Sequence, residues 1–419
     1  MISRSVFWRQ WGKMIIGSIL VLAFLQAAAA DPMADGMKAL EANNFDAAAA
    51  DFSKAVAKDP SDYAAHFHLA LSYSMLKKDD EAVAEYRKTL ELKPGLYEAQ
   101  LNLGIVLVRN KAFADAATEL SAASAQKPKE FRPQYYLGEA LRGSGDFPKA
   151  AETFETAAAL DPKSAAAELG WGQSLAAQNK LADAAPHFRK AAELDPKYRD
   201  ALLELAANYE KAGQPADAIE IYKQFPENPG AQERMGELQL ETKRYADAIP
   251  GLEKAVAASP TSANRLALAT AYGLNKQFDK ELDQLQKVVA AEPENVQLRM
   301  RYGRALRDQK QLVPAENQFA AAAKLDPQSV EAWNELAGIA IPLQDYPTGL
   351  AALDRVKALG KETPGNLFIR AITLDKLKQL KPALAAYEEF LATSGGKFPD
   401  QEFQARQRVK VLKRELGQR

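Results

Sequence analysis

Very small and large apolar residues recur in this chain at fixed places in a cycle of 34 residues. Pro60, Pro94, Pro128, Pro162 and Pro196 keep that step without error. With each set as position 32 of a unit, the rest falls into line through Pro260, Pro293 and Pro327 with small adjustments. Position 8 is then Gly36, Ala70, Gly104, Gly138, Gly172, Ala206, Gly236, Ala269, Gly303, Ala337 and Ala371, always Gly or Ala. Position 20 is alanine or glycine in every unit except one, where Glu281 stands. Position 24 is Phe52, Tyr86, Leu120, Phe154, Phe188, Tyr222, Leu252, Leu285, Phe319, Leu353 and Tyr387, always large.

A period of this length predicts a stack of helical hairpins. Positions 8 and 20 fall on the two helices of one hairpin, where small side chains let the backbones approach closely. Position 24 lies one turn beyond position 20 on the same face and fills the space between hairpins. Polar pairs such as Gly145-Asp146, Asn179-Lys180 and Gly213-Gln214 mark the turn inside each hairpin, and an aromatic residue or leucine follows it. The proline at position 32 stops the second helix, because the residue before a proline is pushed out of helical dihedrals.

These positions, in register over residues 31–395, resemble the tetratricopeptide repeat family. The resemblance implies an all-α fold: a right-handed superhelical solenoid of about eleven antiparallel helix pairs, with a concave groove lined by the first helix of each pair. Four departures are informative. Pro196 to Pro226 is 30 residues, which shortens the sixth unit's second helix. With Pro229 close behind, this predicts a seam between a sub-array over 31–226 and another over 227–399. Lys361 replaces the tenth unit's proline. Ile341-Pro342 is expected to interrupt that unit's first helix or its turn. The eleventh unit carries Arg370 where a large apolar residue is usual. Residues 400–419 are not a repeat. Ala405, Val409, Leu412 and Leu416 form one stripe of an amphipathic helix, expected to cap the open end of the stack.

The first 30 residues read differently. Arg4, Arg9 and Lys13 precede the apolar run Met14–Leu25, and Ala27–Ala30 supply small residues for cleavage. This predicts a signal peptide and an exported protein, periplasmic or secreted. The alternative is an uncleaved anchor over residues 14–30, the one circumstance that would involve a membrane.

Composition is 47% hydrophobic and 26% charged, which suits a folded chain, and alanine-rich stretches favour helix. Net charge is −1, and the basic start accounts for +3 of it, leaving the remainder at −4. That balance gives no reason to expect nucleic-acid binding. There is no cysteine, so no disulfide or thiol chemistry.

The chemistry-bearing residues are sparse. His66 and His68 point to different faces of a helix, and His187 reads as solitary in a second helix. No zinc-binding helix motif, nucleophile elbow or phosphate-cradling glycine loop is present. The sequence therefore predicts no enzyme, no cofactor, no metal and no small-molecule substrate. By the resemblance, positions 2, 5, 6, 9 and 12 of the first helices face the groove. In the third and fourth units they include Glu98, Asn102, Arg132, Tyr135, Tyr136, Glu139 and Arg142. Tyrosine beside arginine is a recognition composition. The competing reading packs the tyrosines against neighbouring helices. In the ninth unit Arg301, Arg304 and Arg307 share a face, suited either to an acidic segment or to Glu335 of the next unit. The carboxylate clamp of some family members is not reproduced, since Phe67 and Leu71 occupy two of its positions. The function expected is a protein-interaction scaffold that binds peptide segments or partner proteins and helps assemble an envelope complex. Alternatives are a self-assembling structural protein or an accessory subunit of a secretion or polysaccharide-export machine.

Overall fold

The computed structural model describes residues 31–417, so the expected signal peptide lies outside the described residues. Among these the fold is all-α, with helices pairing in sequence as eleven hairpins followed by one last helix, Pro399–Glu415. They form two compact units that divide between Leu202 and Leu203.

The first unit holds five complete hairpins. They are Pro32–Glu41 with Phe45–Lys58, Tyr63–Met75 with Asp79–Leu92, Tyr97–Arg109 with Phe113–Gln126, Phe131–Gly143 with Phe147–Leu160, and Ala165–Ala177 with Leu181–Leu194. The second unit continues from the helix Ala201–Lys211, in which the division falls, to Pro399–Glu415. The shortened step gives a second helix of only eight residues, Pro215–Tyr222, and Pro229 already opens the next. Pro342 does not interrupt its helix. The helix Val330–Leu343 runs through it and ends one residue later.

Position 8 and position 24 are fitted to each other. A Cβ on Gly36, Gly138, Gly172 or Gly303 would meet the ring of Phe52, Phe154, Phe188 or Phe319 at 2.7, 2.9, 2.9 and 2.6 Å. All four rings are fully buried. Where position 24 is tyrosine instead, at Tyr86, Tyr222 and Tyr387, position 8 is alanine. Phenylalanine thus lies flush against bare backbone, a contact that only glycine permits.

Every hairpin turn has the same geometry. Position 15 takes a left-handed conformation in all eleven: Asn43, Lys77, Lys111, Gly145, Asn179, Gly213, Lys243, Lys276, Lys310, Gln344 and Lys378. The next amide reaches back five residues to close the first helix, as in Ala112 N–H to Leu107 O at 2.9 Å and Asp146 N–H to Leu141 O at 2.9 Å. This is the Schellman closure, which satisfies the terminal carbonyls.

The ladder prolines have a second role. At four of them the carbonyl is paired with the side chain at position 4 of the following unit. Gln134 Nε2 donates to Pro128 O at 3.3 Å, Arg299 Nε to Pro293 O at 2.7 Å and Trp333 Nε1 to Pro327 O at 3.1 Å, and His66 Nε2 lies 3.1 Å from Pro60 O. The link between units is therefore pinned by a donor as well as shaped by a proline.

The last helix behaves as a cap. Ala405 and Leu412 are fully buried against Ala383, Tyr387 and Phe390, with Val409 and Leu416 half-buried beside them. Arg408 grips Asp375 with both Nε and Nη2, at 2.6 and 2.7 Å. Arg370 is buried at a position where six of the eleven units carry leucine. It reaches Glu362 at 2.7 Å and Asp354 at 2.5 Å.

Candidate functional site

In the first unit, the first helices Tyr97–Arg109 and Phe131–Gly143 touch each other. Each is built by the small residue at its position 8, Gly104 or Gly138, which seats it on its own second helix. Asn102 and Tyr136 both stand at position 6 of these neighbours, half-buried. Asn102 faces the Tyr86 hydroxyl, which is buried without a well-formed hydrogen bond. Burial pushes that hydroxyl well above the ordinary tyrosine value.

Tyr136 rests on the cluster built around Leu101, Leu103 and Ala140. Tyr135 points into the stack. It lies parallel to Phe131 with centroids 5.5 Å apart and meets Phe154 edge-on at 6.0 Å and Tyr136 at 5.2 Å. Burial, with Glu139 nearby, raises its hydroxyl. Arg132 is half-buried on the same helix. Glu139 and Arg142 form an ion pair at 2.9 Å, and Arg142 Nε is buried without a partner. The structure thus gathers Arg132, Tyr136, Glu139 and Arg142 on one helix, with Asn102 on the first helix of the preceding hairpin, and packs Tyr135 against Phe131 and Phe154.

The three arginines of Val296–Asp308 are all engaged within the chain. Arg301 donates to Thr270 Oγ1 at 2.6 Å, and burial lowers its pKa from arginine's ordinary value. Arg304 pairs with Glu335 at 2.8 Å and with Glu331. Arg307 pairs with Glu335 and with Asp308, the latter at 3.1 Å. Hydrogen bonding to Glu335 raises the pKa of Arg304 further. Glu335 therefore bridges two of the three.

Sequence reasoning passed over one constellation. His187 is not solitary: its Nδ1 lies 2.8 Å from Glu168, and its ring stacks on Trp171 with centroids 3.7 Å apart. Glu168 is 1% exposed and also takes Lys190 Nζ at 2.5 Å. The signal was a spacing of 19 residues between positions 4 and 23. His66–Glu85, Arg265–Gln284 and Arg299–Gln318 use the same spacing, at 2.5, 2.9 and 3.0 Å. Glu168 is the one acidic residue at position 4. The carboxyl oxygens of Glu168 instead meet His187 Nδ1 and Lys190 Nζ on the second helix. Beside this pair opens a cleft of about 300 Å³ between Phe147–Leu160, Ala165–Ala177 and Leu181–Leu194.

Among the described residues, no group of three or more His, Cys, Asp or Glu is placed to hold a metal ion, and no helix is long and apolar enough to cross a membrane.

A tetratricopeptide repeat model matches residues 33–97, 80–131, 101–165, 135–199, 203–263 and 314–366, and a second such model matches 175–228. Among solved structures, MamA (residues 41 to the end) from Desulfovibrio magneticus RS-1 is similar at 24% identity, over 41% of this chain and 98% of that one, with a TM-score of 0.38. YrrB, described as a TPR protein with an unusual peptide-binding site, is similar at 23% identity, over 46% of this chain and 97% of that one, with a TM-score of 0.38. No curated protein matches the chain.

Proposed function

The chain belongs to the tetratricopeptide repeat family, and from that premise we propose that it is a non-catalytic scaffold whose first-helix faces take up peptide segments of partner proteins. One observation carries the reading. On Phe131–Gly143 and the first helix of the preceding hairpin, Arg132, Tyr136, Glu139, Arg142 and Asn102 are held by their neighbours but left half open to solvent. Side chains already fixed by packing lose little entropy on binding, and tyrosine and arginine supply contact area and directed hydrogen bonds. Leader-like residues 1–30 support export, and with it a role in assembling an envelope complex.

The test is partner capture. A photo-reactive residue at Tyr136 crosslinks the partner in cells, and Asn102→Ala with Arg132→Ala weakens capture about tenfold, the loss expected for two polar contacts. Undiminished capture by the double variant overturns the site. Export is read separately: the mature protein has a mass that begins near Asp31. Full-length protein in a membrane pellet overturns cleavage.

A self-assembling role is favoured by a different observation, the Phe403 ring on the last helix, which is 64% exposed. Sedimentation velocity over a concentration range decides it. Association that Phe403→Ser abolishes supports that role, and a concentration-independent monomer removes it.

A further inference from the structure

The cleft beside Trp171 lies on the other side of its helix from the proposed partner face. Along Ala165–Ala177, Trp171 and Leu175 are four residues apart and share one side. Ala166, Leu169 and Gln173 hold the positions assigned to the groove and fall on the opposite side. The cleft is closed by Pro148, Ala151, Glu152 and Glu155 from the preceding second helix and by Lys180, Asp183 and His187 from its own hairpin.

Its composition departs from the repeat. Position 7 is leucine in most units (Leu69, Leu103, Leu137, Leu205, Leu268 and Leu336) and tryptophan here alone. The tryptophan is half-buried and braced by the His187 ring, which the buried Glu168 fixes through Nδ1. Gln178 spends its amide N–H groups on Phe147 O at 3.1 Å and Ser174 O at 3.0 Å, which leaves its side-chain oxygen as an acceptor. No close ion pair or hydrogen bond engages the carboxylates of Glu152, Glu155 and Asp183; Lys180 is the one lysine lining the cleft, and Lys149, which is paired with Asp146, lies near Glu152. Scaffold packing needs none of this. A flat aromatic wall, acceptors at the rim and excess negative charge complement a planar cation.

We infer that this cleft is a second recognition site, which takes an arginine side chain from a partner polypeptide. The guanidinium lies against the Trp171–His187 stack and donates to the carboxylates around it. Arginine fits better than lysine because its planar group stacks on aromatic rings and forms paired hydrogen bonds to carboxylates. The site is independent of the first-helix face, so either can fail while the other stands.

The test titrates the full chain, labelled with nitrogen-15, with the peptide acetyl-Ala-Arg-Ala-amide. The indole N–H signal of Trp171 is assigned by its loss in Trp171→Leu. The expected result is a saturable shift of that signal, weakened at 0.5 M NaCl, as an exposed charge pair demands. The citrulline peptide of the same shape, and calcium chloride, leave it in place. Glu152→Gln with Asp183→Asn weakens binding about tenfold, and Glu155→Gln alone repeats the test on a single exposed residue. Trp171→Leu, which restores the residue usual at that position, keeps the circular dichroism spectrum and loses the peptide-induced shift of the Gly172 amide. An equal response to citrulline, a response to calcium, no saturation, or full binding by the charge variants overturns the assignment.

Discussion

Replacing Lys111 by glycine stabilises this protein, the reverse of what that change does inside a helix. Lys111 is exposed, has a φ of 60°, and ends the helix Tyr97–Arg109 through the amides at 111 and 112, which reach Val108 O at 3.0 Å and Leu107 O at 2.9 Å. A side chain in that conformation costs about 1–2 kcal/mol through its Cβ. Glycine removes the cost but returns about 0.5–1 kcal/mol as chain entropy in the unfolded state. Loss of a cation near a helix C-terminus takes about 0.3 kcal/mol more. The balance is a gain of about 0.5 kcal/mol. Gly145 and Gly213 already occupy the equivalent place in their hairpins, with φ of 85° and 71°. The six lysines at this position (77, 111, 243, 276, 310 and 378) stand in separate turns. Their effects therefore add, to about 3 kcal/mol for the sixfold variant. Urea unfolding followed by circular dichroism reads the global effect, and hydrogen exchange at the Ala112 amide reads the local one. Lys111→Ala keeps the Cβ and gains nothing. A lowered urea midpoint for Lys111→Gly, or the same response to Ala and Gly, refutes the reasoning.

Gly303→Ala drives a methyl into the Phe319 ring and costs about 1–3 kcal/mol from overpacking, less about 1 kcal/mol of helix propensity. Phe319→Leu in the same chain, which rebuilds the Ala269–Leu285 combination, recovers part of the loss in a double-mutant cycle; strictly additive effects contradict the fit of position 8 to position 24. Arg370→Leu removes the close partner of Glu362, at a site only 13% exposed, and leaves it only Lys357 at 3.9 Å, which lowers stability by about 2 kcal/mol, part of which Glu362→Gln restores in the melting temperature; an Arg370→Leu protein as stable as the parent disproves the pairing argument. Burial holds the His68 imidazole below its ordinary value of 6.5, so its contribution is complete above that pH and is lost as the pH falls through the depressed native value, where the unfolded chain takes up a proton first. His68→Gln flattens the fall in urea midpoint between pH 7 and pH 5, and an unaltered slope speaks against the buried imidazole as its source.

Much of the architecture was legible because packing repeats. Eleven small–large pairings of position 8 with position 24, in close contact at the six glycine units, leave a periodic trace, and the stripe through Ala405 and Leu412 announced the cap in the same way. Turn geometry was legible at Gly145, Asn179 and Gly213, where glycine or asparagine tolerates left-handed backbone. Lysine carries no signature of left-handed backbone, and the hairpin imposes it on Lys77 or Lys111 through register with its neighbours. Arg370 read as a flaw in the eleventh unit, because its two carboxylates lie 8 and 16 residues away in other segments. His187 read as solitary for a related reason. Its partner sits 19 residues earlier on the facing helix, a distance that acquires meaning only once the hairpin is closed. Of the arginine row, the sequence showed the shared face and named Glu335, while the tie of Arg301 to Thr270 needed coordinates.

Within each unit, the substantial helix contacts join helices no more than two apart along the chain. Folding here closes only short loops, and contacts of low sequence separation form quickly. A hairpin can therefore set as soon as its neighbour has been made, without waiting for distant sequence. Chain growth and structure growth run in the same direction, and a stalled or truncated chain keeps the hairpins it has already built.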